Sequence, residues 1–210
     1  MYPMIHYLIM ENLENSTFLG QQEGEKIISV ITPHQSVFAL EYAKLVFVSL
    51  FLLTGFISLQ KISPFFVPVG IIFSLFTLVV GFFLYRSLHS KRFTYITNRR
   101  IVRFEPSNAF IINNRSLTWD NVLKIKTFSS NFIWRLKNVG TVIIHSKTTS
   151  TSINSPDQVL LSNDDIVLKN VYFYKDLGNY IDKILYLYQH DPAGLESIHP
   201  FVNKNKGQRY

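Results

Sequence analysis

The stretch Pro64–Tyr85, PFFVPVGIIFSLFTLVVGFFLY, runs for 22 consecutive residues without a charge. As a helix rising about 1.5 Å per residue it reaches roughly 33 Å, enough for a hydrocarbon core of about 30 Å. It shows no amphipathic break, and the buried core helix of a small soluble domain rarely runs so far. Pro64 suits a helix start, and Pro68, one turn in, is tolerated near an end. The reading is a transmembrane helix over 64–85.

The preceding stretch extends this to a pair. Leu45–Leu59 is uncharged, and reaching back to Val37 gives 23 residues that include Glu41 and Lys44. Those two lie three apart on one helix face and are expected to pair at headgroup level, with Lys44 snorkelling along its stem. A surface helix would leave Leu50, Phe51, Leu52 and Leu53 exposed all round, so 37–59 reads as a second span. Only Gln60, Lys61, Ile62 and Ser63 separate the spans, which makes a tight hairpin with both chain ends on one side. After the second span come Arg86, Lys91, Arg92, Arg99, Arg100 and Arg103 with no acid before Glu105, while the opposite loop offers only Lys61. The positive-inside bias places both termini in the cytoplasm, in a protein integral to the plasma (inner) membrane.

Composition agrees with an anchored globular protein. Of 210 residues 47% are apolar or aromatic and 17% charged, against about 25% charged in an ordinary soluble domain, which excludes a disordered chain. The absence of cysteine excludes disulfides, thiol nucleophiles and thiolate metal sites. Residues 1–36 carry four acids (Glu11, Glu14, Glu23, Glu25) and Lys26, whereas 86–210 hold 18 bases against 9 acids. A basic block behind an apolar one suits an anionic membrane surface. The N-terminal MYPMIHYLIM lacks the basic start and small-residue site of a signal peptide, and reads as a short helix or strand packed on the domain or lying at the interface.

Beyond Leu88 the pattern turns to short alternating runs. RFTYITNRRIVRFE reads as two strands turning at Thr97-Asn98. Further strands are expected at 109–113, 115–119, 122–128, 132–136 and 141–145, with a hairpin signal at Asn138-Val139-Gly140. Ser146–Ser155 reads as a loop, and 159–161 with 166–168 as a last hairpin. From Tyr174 to Tyr188 the residues Leu177, Ile181, Ile184, Leu185 and Tyr188 recur at helical spacing, and Asp191-Pro192 and Gly194 stop that helix. The fold class is α+β: two transmembrane helices, then a seven-stranded antiparallel barrel or sandwich closed by a C-terminal helix. The organisation is an N-terminal segment 1–36, spans 37–59 and 64–85, a domain 88–190 and a basic tail 191–210 with Lys204, Lys206 and Arg209.

The order FTYITNRRIVRFE, SLTWDNVLKIKTF and KNVGTVIIHS behind two spans resembles the bacterial pleckstrin-homology-like (PH-like) domains, also called membrane-flanked domains. The resemblance covers about residues 23–188. It rests on the T-x-x-R hairpin Thr97–Arg100, the strand pair Leu117–Ile125, the G-T-V strand Gly140–Ile143, and the lead-in EGEKIISVITPHQSVF with Pro33-His34. The family's R-x-G close of the first hairpin is replaced by Phe104-Glu105-Pro106. The resemblance implies seven bent strands closed by a C-terminal helix, and no catalytic site.

The leading candidate site is the cation cluster Arg86, Lys91, Arg92, Arg99, Arg100 and Arg103, for contact with anionic lipid headgroups at about 1 kcal/mol per cation; the alternative is that these charges set orientation and stand in solvent. His6, His34, His89, His145, His190 and His199 are scattered without ligand spacing, so no metal is expected, and no cofactor motif is present. Asp164-Asp165 reads as a surface turn. Trp119 and Trp134 read as core residues before interface anchors. Gly55, Gly70 and Gly81 form no GxxxG pattern, so the helices give no support for oligomerisation. The function expected is non-enzymatic: a membrane-proximal module that docks an unidentified protein partner or binds anionic lipid. The rivals are a subunit of a membrane enzyme or transport complex, which an ionisable residue buried in a span would support and to which only Glu41 and Lys44 come close, and a membrane-tethered nucleic-acid binder, which the membrane-proximal placement of the cations disfavours.

Overall fold

The computed structural model describes residues 17–108, 110–148 and 164–202. The chain divides into two compact units. One comprises the described residues of Met1–Pro33, Phe93–Glu105 and Asn113–Tyr210, and the other His34–Arg92 together with Pro106–Ile112.

The second unit is built on two helices, α1 (Gln35–Ser58) and α2 (Phe66–Ser90). His34 caps α1, its Nδ1 accepting from the Ser36 N–H at 3.1 Å, which satisfies one of the orphan donors at a helix start. A short 3-10 turn, Leu59–Lys61, joins the helices. Both are long and apolar enough to cross a membrane. They are not the buried helices of a soluble core: together they bury only Val37, Ser49, Gly70 and Ser74, while Phe51 is 79% exposed and Ile72 69%. Three positions on each helix define the seam. A Cβ on Gly70 would stand 2.4 Å from Phe56 Cβ, and one on Gly81 2.3 Å from a Leu45 methyl carbon. Between them the Ser49 hydroxyl donates to the Ser74 carbonyl at 3.1 Å, and the Ser74 hydroxyl to that of Ser49 at 3.2 Å. Small residues that admit a large neighbour, with one hydroxyl pair between, are how helices associate where water supplies no driving force.

The first unit contains seven strands in two antiparallel sheets, ordered β1 (Ile27–Ile31), β2 (Phe93–Thr97), β3 (Arg100–Pro106), β4 (Ile112–Thr118), and β5 (Val122–Phe128), β6 (Val139–Ser146), β7 (Ile166–Tyr172). A short helix α3 (Phe132–Leu136) joins β5 to β6, and α4 (Tyr174–His190) follows β7. Register is carried by apolar pairs such as Ile96 with Ile101 and Ile125 with Ile144. All eight residues of the central strand β6 are buried. The apolar stripe of α4, Leu177, Ile181 and Ile184, joins Ile96, Ile101, Trp119, Val142, Ile144 and Ile166 in one core. Gly178 lets α4 approach β5, since a Cβ there would meet a Thr127 methyl at 2.3 Å. Phe18, Val102 and Phe104 form a smaller cluster, with Phe18 stacked on Tyr95 at 4.8 Å.

The arrangement is α+β with two apolar helices and two antiparallel sheets; the two sheets are not closed into a barrel by any pairing among the described residues. Four sequence expectations change. The strand at 132–136 is helix α3, because the Asn131 side chain accepts from the Trp134 N–H at 2.9 Å and caps a helical turn. The strands expected at 109–113 and 115–119 give way to one strand, β4, from Ile112 to Thr118, which runs into the 3-10 turn Trp119–Asn121. The first strand of the four-stranded sheet, β1, precedes the helices, so the segment before the hairpin is part of the sheet unit. The hairpin helix α2 continues past Tyr85 to Ser90. The expected N-terminal element at 1–10, the strand at 159–161 and the cations of the basic tail (Lys204, Lys206, Arg209) fall outside the described residues.

Candidate membrane-proximal cation cluster

The six cations fall in both units. Arg86 lies exposed near the C-terminal end of α2, with Lys91 and Arg92 directly after that helix. The Arg92 Nη1 stands 3.5 Å from Glu41 Oε1 across the hairpin. Glu41 therefore meets a cation from just beyond α2, where the sequence suggested Lys44 one turn away. Arg99 is exposed at the β2–β3 turn.

Arg100 is held inside the sheet unit. Its Nε and Nη2 donate to the two oxygens of Glu25 at 2.9 and 3.0 Å, and Nη2 donates to the Gly20 carbonyl at 2.6 Å. The Glu25 side chain is fully buried, and the Thr97 hydroxyl stands 2.8 Å from its Oε1. Burial alone would push the Glu25 carboxyl up; the hydrogen bonds from Arg100, Gln22 and Thr97 and the Arg100 charge outweigh it and hold the group below its usual value. The hydrogen bonds to Glu25 in turn raise Arg100, against its own partial burial. The T-x-x-R motif is thus a structural staple: Thr97 and Arg100 clasp the segment that leads into β1. Asn98 adds to it, its Oδ1 accepting from the Lys26 N–H at 2.9 Å.

Arg103 is also engaged. Its Nη2 pairs with Glu105 at 2.9 Å, and Nη1 donates to the Val167 carbonyl, tying β3 to β7. Of the six, Arg92, Arg100 and Arg103 meet carboxylates, which leaves Arg86 and Arg99 as the exposed arginines of the set.

Asp165 differs from the surface turn expected. It is buried, accepts from the Ser146 N–H at 2.9 Å, and lies 3.0 Å from His145 Nδ1, so that it clasps the ends of β6 and β7. Asp164 is exposed and accepts from the Thr148 hydroxyl at 3.0 Å. Among the described residues no three His, Asp or Glu side chains gather as a metal site. Trp119 is a core residue, fully buried with its indole N–H donating to the Thr97 carbonyl at 2.9 Å.

A feature that periodicity did not flag is the apolar surface around α3. Phe132, Ile133 and Leu136 are 71, 66 and 67% exposed, and Phe128 at the end of β5 is 41% exposed. Exposed Lys126, Arg135 and Lys137 flank them. The hairpin signal Asn138-Val139-Gly140 made this segment look like a strand, whose alternate residues would have been buried. No family model, curated protein or solved structure matches the chain.

Proposed function

We propose that the protein is a non-enzymatic integral membrane protein: α1 and α2 span the bilayer as a hairpin, and the two-sheet unit is a PH-like module held on the cytoplasmic side to dock a protein partner. Four strands, then three strands, then one helix is the order that supports the PH-like reading. The observation that carries docking is the exposed Phe132, Ile133 and Leu136 with Arg135 and Lys137 at their edge. An apolar anchor in a polar, charged rim is the make-up of a protein interface. The complementary partner presents apolar anchors flanked by acidic side chains. Tethering to the membrane raises the effective concentration of both partners and makes a weak contact productive.

Headgroup binding by the six cations has less support than their number suggests, since Arg92, Arg100 and Arg103 already meet carboxylates within the chain. The same pairing weakens the nucleic-acid reading. For a transport or enzyme subunit, the acid and base within α1 are Glu41 and Lys44, and Glu41 is paired with Arg92.

The test is a photo-crosslinking residue at Phe132 in the full chain in its native membrane. The reading expects one discrete protein adduct that disappears in Leu136→Asp, while the purified chain in vesicles gives none. Adducts to lipid alone would favour a headgroup-binding surface, and no adduct of either kind would sink both.

A further inference from the structure

The loop between β3 and β4 is a second candidate for contact with the bilayer, and its construction differs from that of the cation cluster. Pro106–Ile112 groups with the helical hairpin and not with the sheet whose strands it joins. Register explains the placement: Phe93, which opens β2 directly after the Lys91-Arg92 link from α2, faces Phe104 near the end of β3. The two chains leave the ladder side by side, one as the last turn of α2 and the other as this loop. The loop therefore lies at the end of the hairpin opposite the Leu59–Lys61 turn.

Its tip is apolar and exposed. Phe110 is 95% exposed, Ile111 55% and Ile112 42%. No charge occurs between Glu105 and Arg115, and Glu105 is already paired with Arg103. The backbone is closed on itself: the Asn108 Oδ1 accepts from the N–H groups of Phe110 and Ile111 at 2.9 and 2.8 Å, and the Ile111 carbonyl accepts from the Ser107 N–H at 2.9 Å. With the Ser107, Phe110 and Ile111 N–H groups satisfied inside the turn, these donors are not stranded on leaving water, and stranded donors are the main obstacle to irregular backbone entering a membrane interface.

We infer that Phe110 and Ile111 insert into the headgroup–acyl boundary of the bilayer beside α2, as a third membrane contact. The occupant is the bilayer because the exposed apolar tip belongs to the same unit as the lipid-length helices, whose own large apolar residues are also exposed. Aromatic side chains favour that boundary depth, and Arg86 and Lys91, at the end of α2 in the same unit, suit its anionic headgroups. The inference rests on the hairpin reading proposed above.

Because the chain has no cysteine, a single nitroxide can be placed at will. Full-length Phe110→Cys, Ile111→Cys and Ile72→Cys are labelled and reconstituted in phosphatidylcholine–phosphatidylglycerol vesicles, and collisions with oxygen and with a water-soluble nickel chelate are compared. The expected result is loss of nickel collisions at 110 and 111 with oxygen collisions retained, at a depth shallower than that of 72. Nickel access at 110 and 111 equal to that of a label in buffer, with 72 embedded, overturns this inference alone. Exclusion of both reagents at 110 and 111 means that protein covers the loop and also overturns it. Nickel access at 72 overturns the hairpin reading itself.

Discussion

The hairpin and the sheet unit are built on opposite rules. In the sheet unit Ile96, Ile144, Leu177 and Trp119 are fully buried, and the buried carboxylates of Glu25 and Asp165 are met by Arg100 and His145. In the hairpin the large apolar residues Phe51, Ile72 and Phe83 face outward, and glycine and serine hold the seam. The first pattern is what water selects, since burying apolar surface contributes about 25 cal/mol per Å² there. The second is what hydrocarbon selects, since leucine gains nothing by leaving lipid and only close packing and hydrogen bonding remain to join helices. The sheet unit thus follows the pattern expected in water, and the hairpin, long and apolar enough to cross a membrane, the pattern expected in lipid.

Truncating the core and the outer face of the hairpin separates the two rules most sharply. Trp119→Ala removes a fully buried ring and strands the Thr97 carbonyl, and should destabilise the sheet unit by about 4 kcal/mol. Phe51→Ala, a change of similar size on an exposed face of α1, should leave the denaturation midpoint of the chain in lipid unchanged. Thermal unfolding followed by circular dichroism in bilayers reads both.

Breaking the buried pair comes next. Glu25→Ala leaves the Arg100 guanidinium facing a void, and a loss of about 3 kcal/mol is expected. A fragment starting at residue 88 loses β1 and Glu25 together and should fail to give a cooperative transition. The pair also sets a pH dependence. Because the Glu25 carboxyl sits below its usual value in the folded state, its contribution is present above the unfolded value of about 4.3 and is lost as pH falls through the folded one. Acid titration of the melting temperature should show this decline in the native chain and a shallower one in Glu25→Gln.

At the seam, Gly81→Leu forces a side chain into Leu45 and should separate the helices, detectable as loss of a cysteine crosslink engineered between them. The smallest effect is Ser49→Ala, which removes one hydroxyl and should cost about 1 kcal/mol, measured by steric trapping in bilayers.

The helices could be read in the sequence because a continuous apolar run needs no partner to declare itself. The core stripe of α4 was equally plain, Leu177, Ile181 and Ile184 recurring at helical spacing. What escaped depends on residues far apart in the chain. β1 is five residues long, and both helices separate it from its partner β2. The Glu25–Arg100 pair joins positions 75 apart, so Arg100 read as one more surface cation. The seam of the hairpin is invisible as a motif on either helix, because Leu45, Ser49 and Phe56 acquire meaning only when set antiparallel to Gly81, Ser74 and Gly70. α3 was misread for a local reason: Phe132, Ile133 and Trp134 favour a strand, and the single cap supplied by Asn131 overrides them.

The central claim is that the hairpin crosses the membrane and returns, leaving the sheet unit on the side of the cations. Its most direct test uses single cysteines in place of Lys61 in the turn and Leu19, which is 84% exposed in the sheet unit, probed with a membrane-impermeant maleimide in intact and permeabilised cells. The account predicts labelling of residue 61 in intact cells and of residue 19 only after permeabilisation. Protection of both positions in intact cells, with both labelled after permeabilisation, would contradict it.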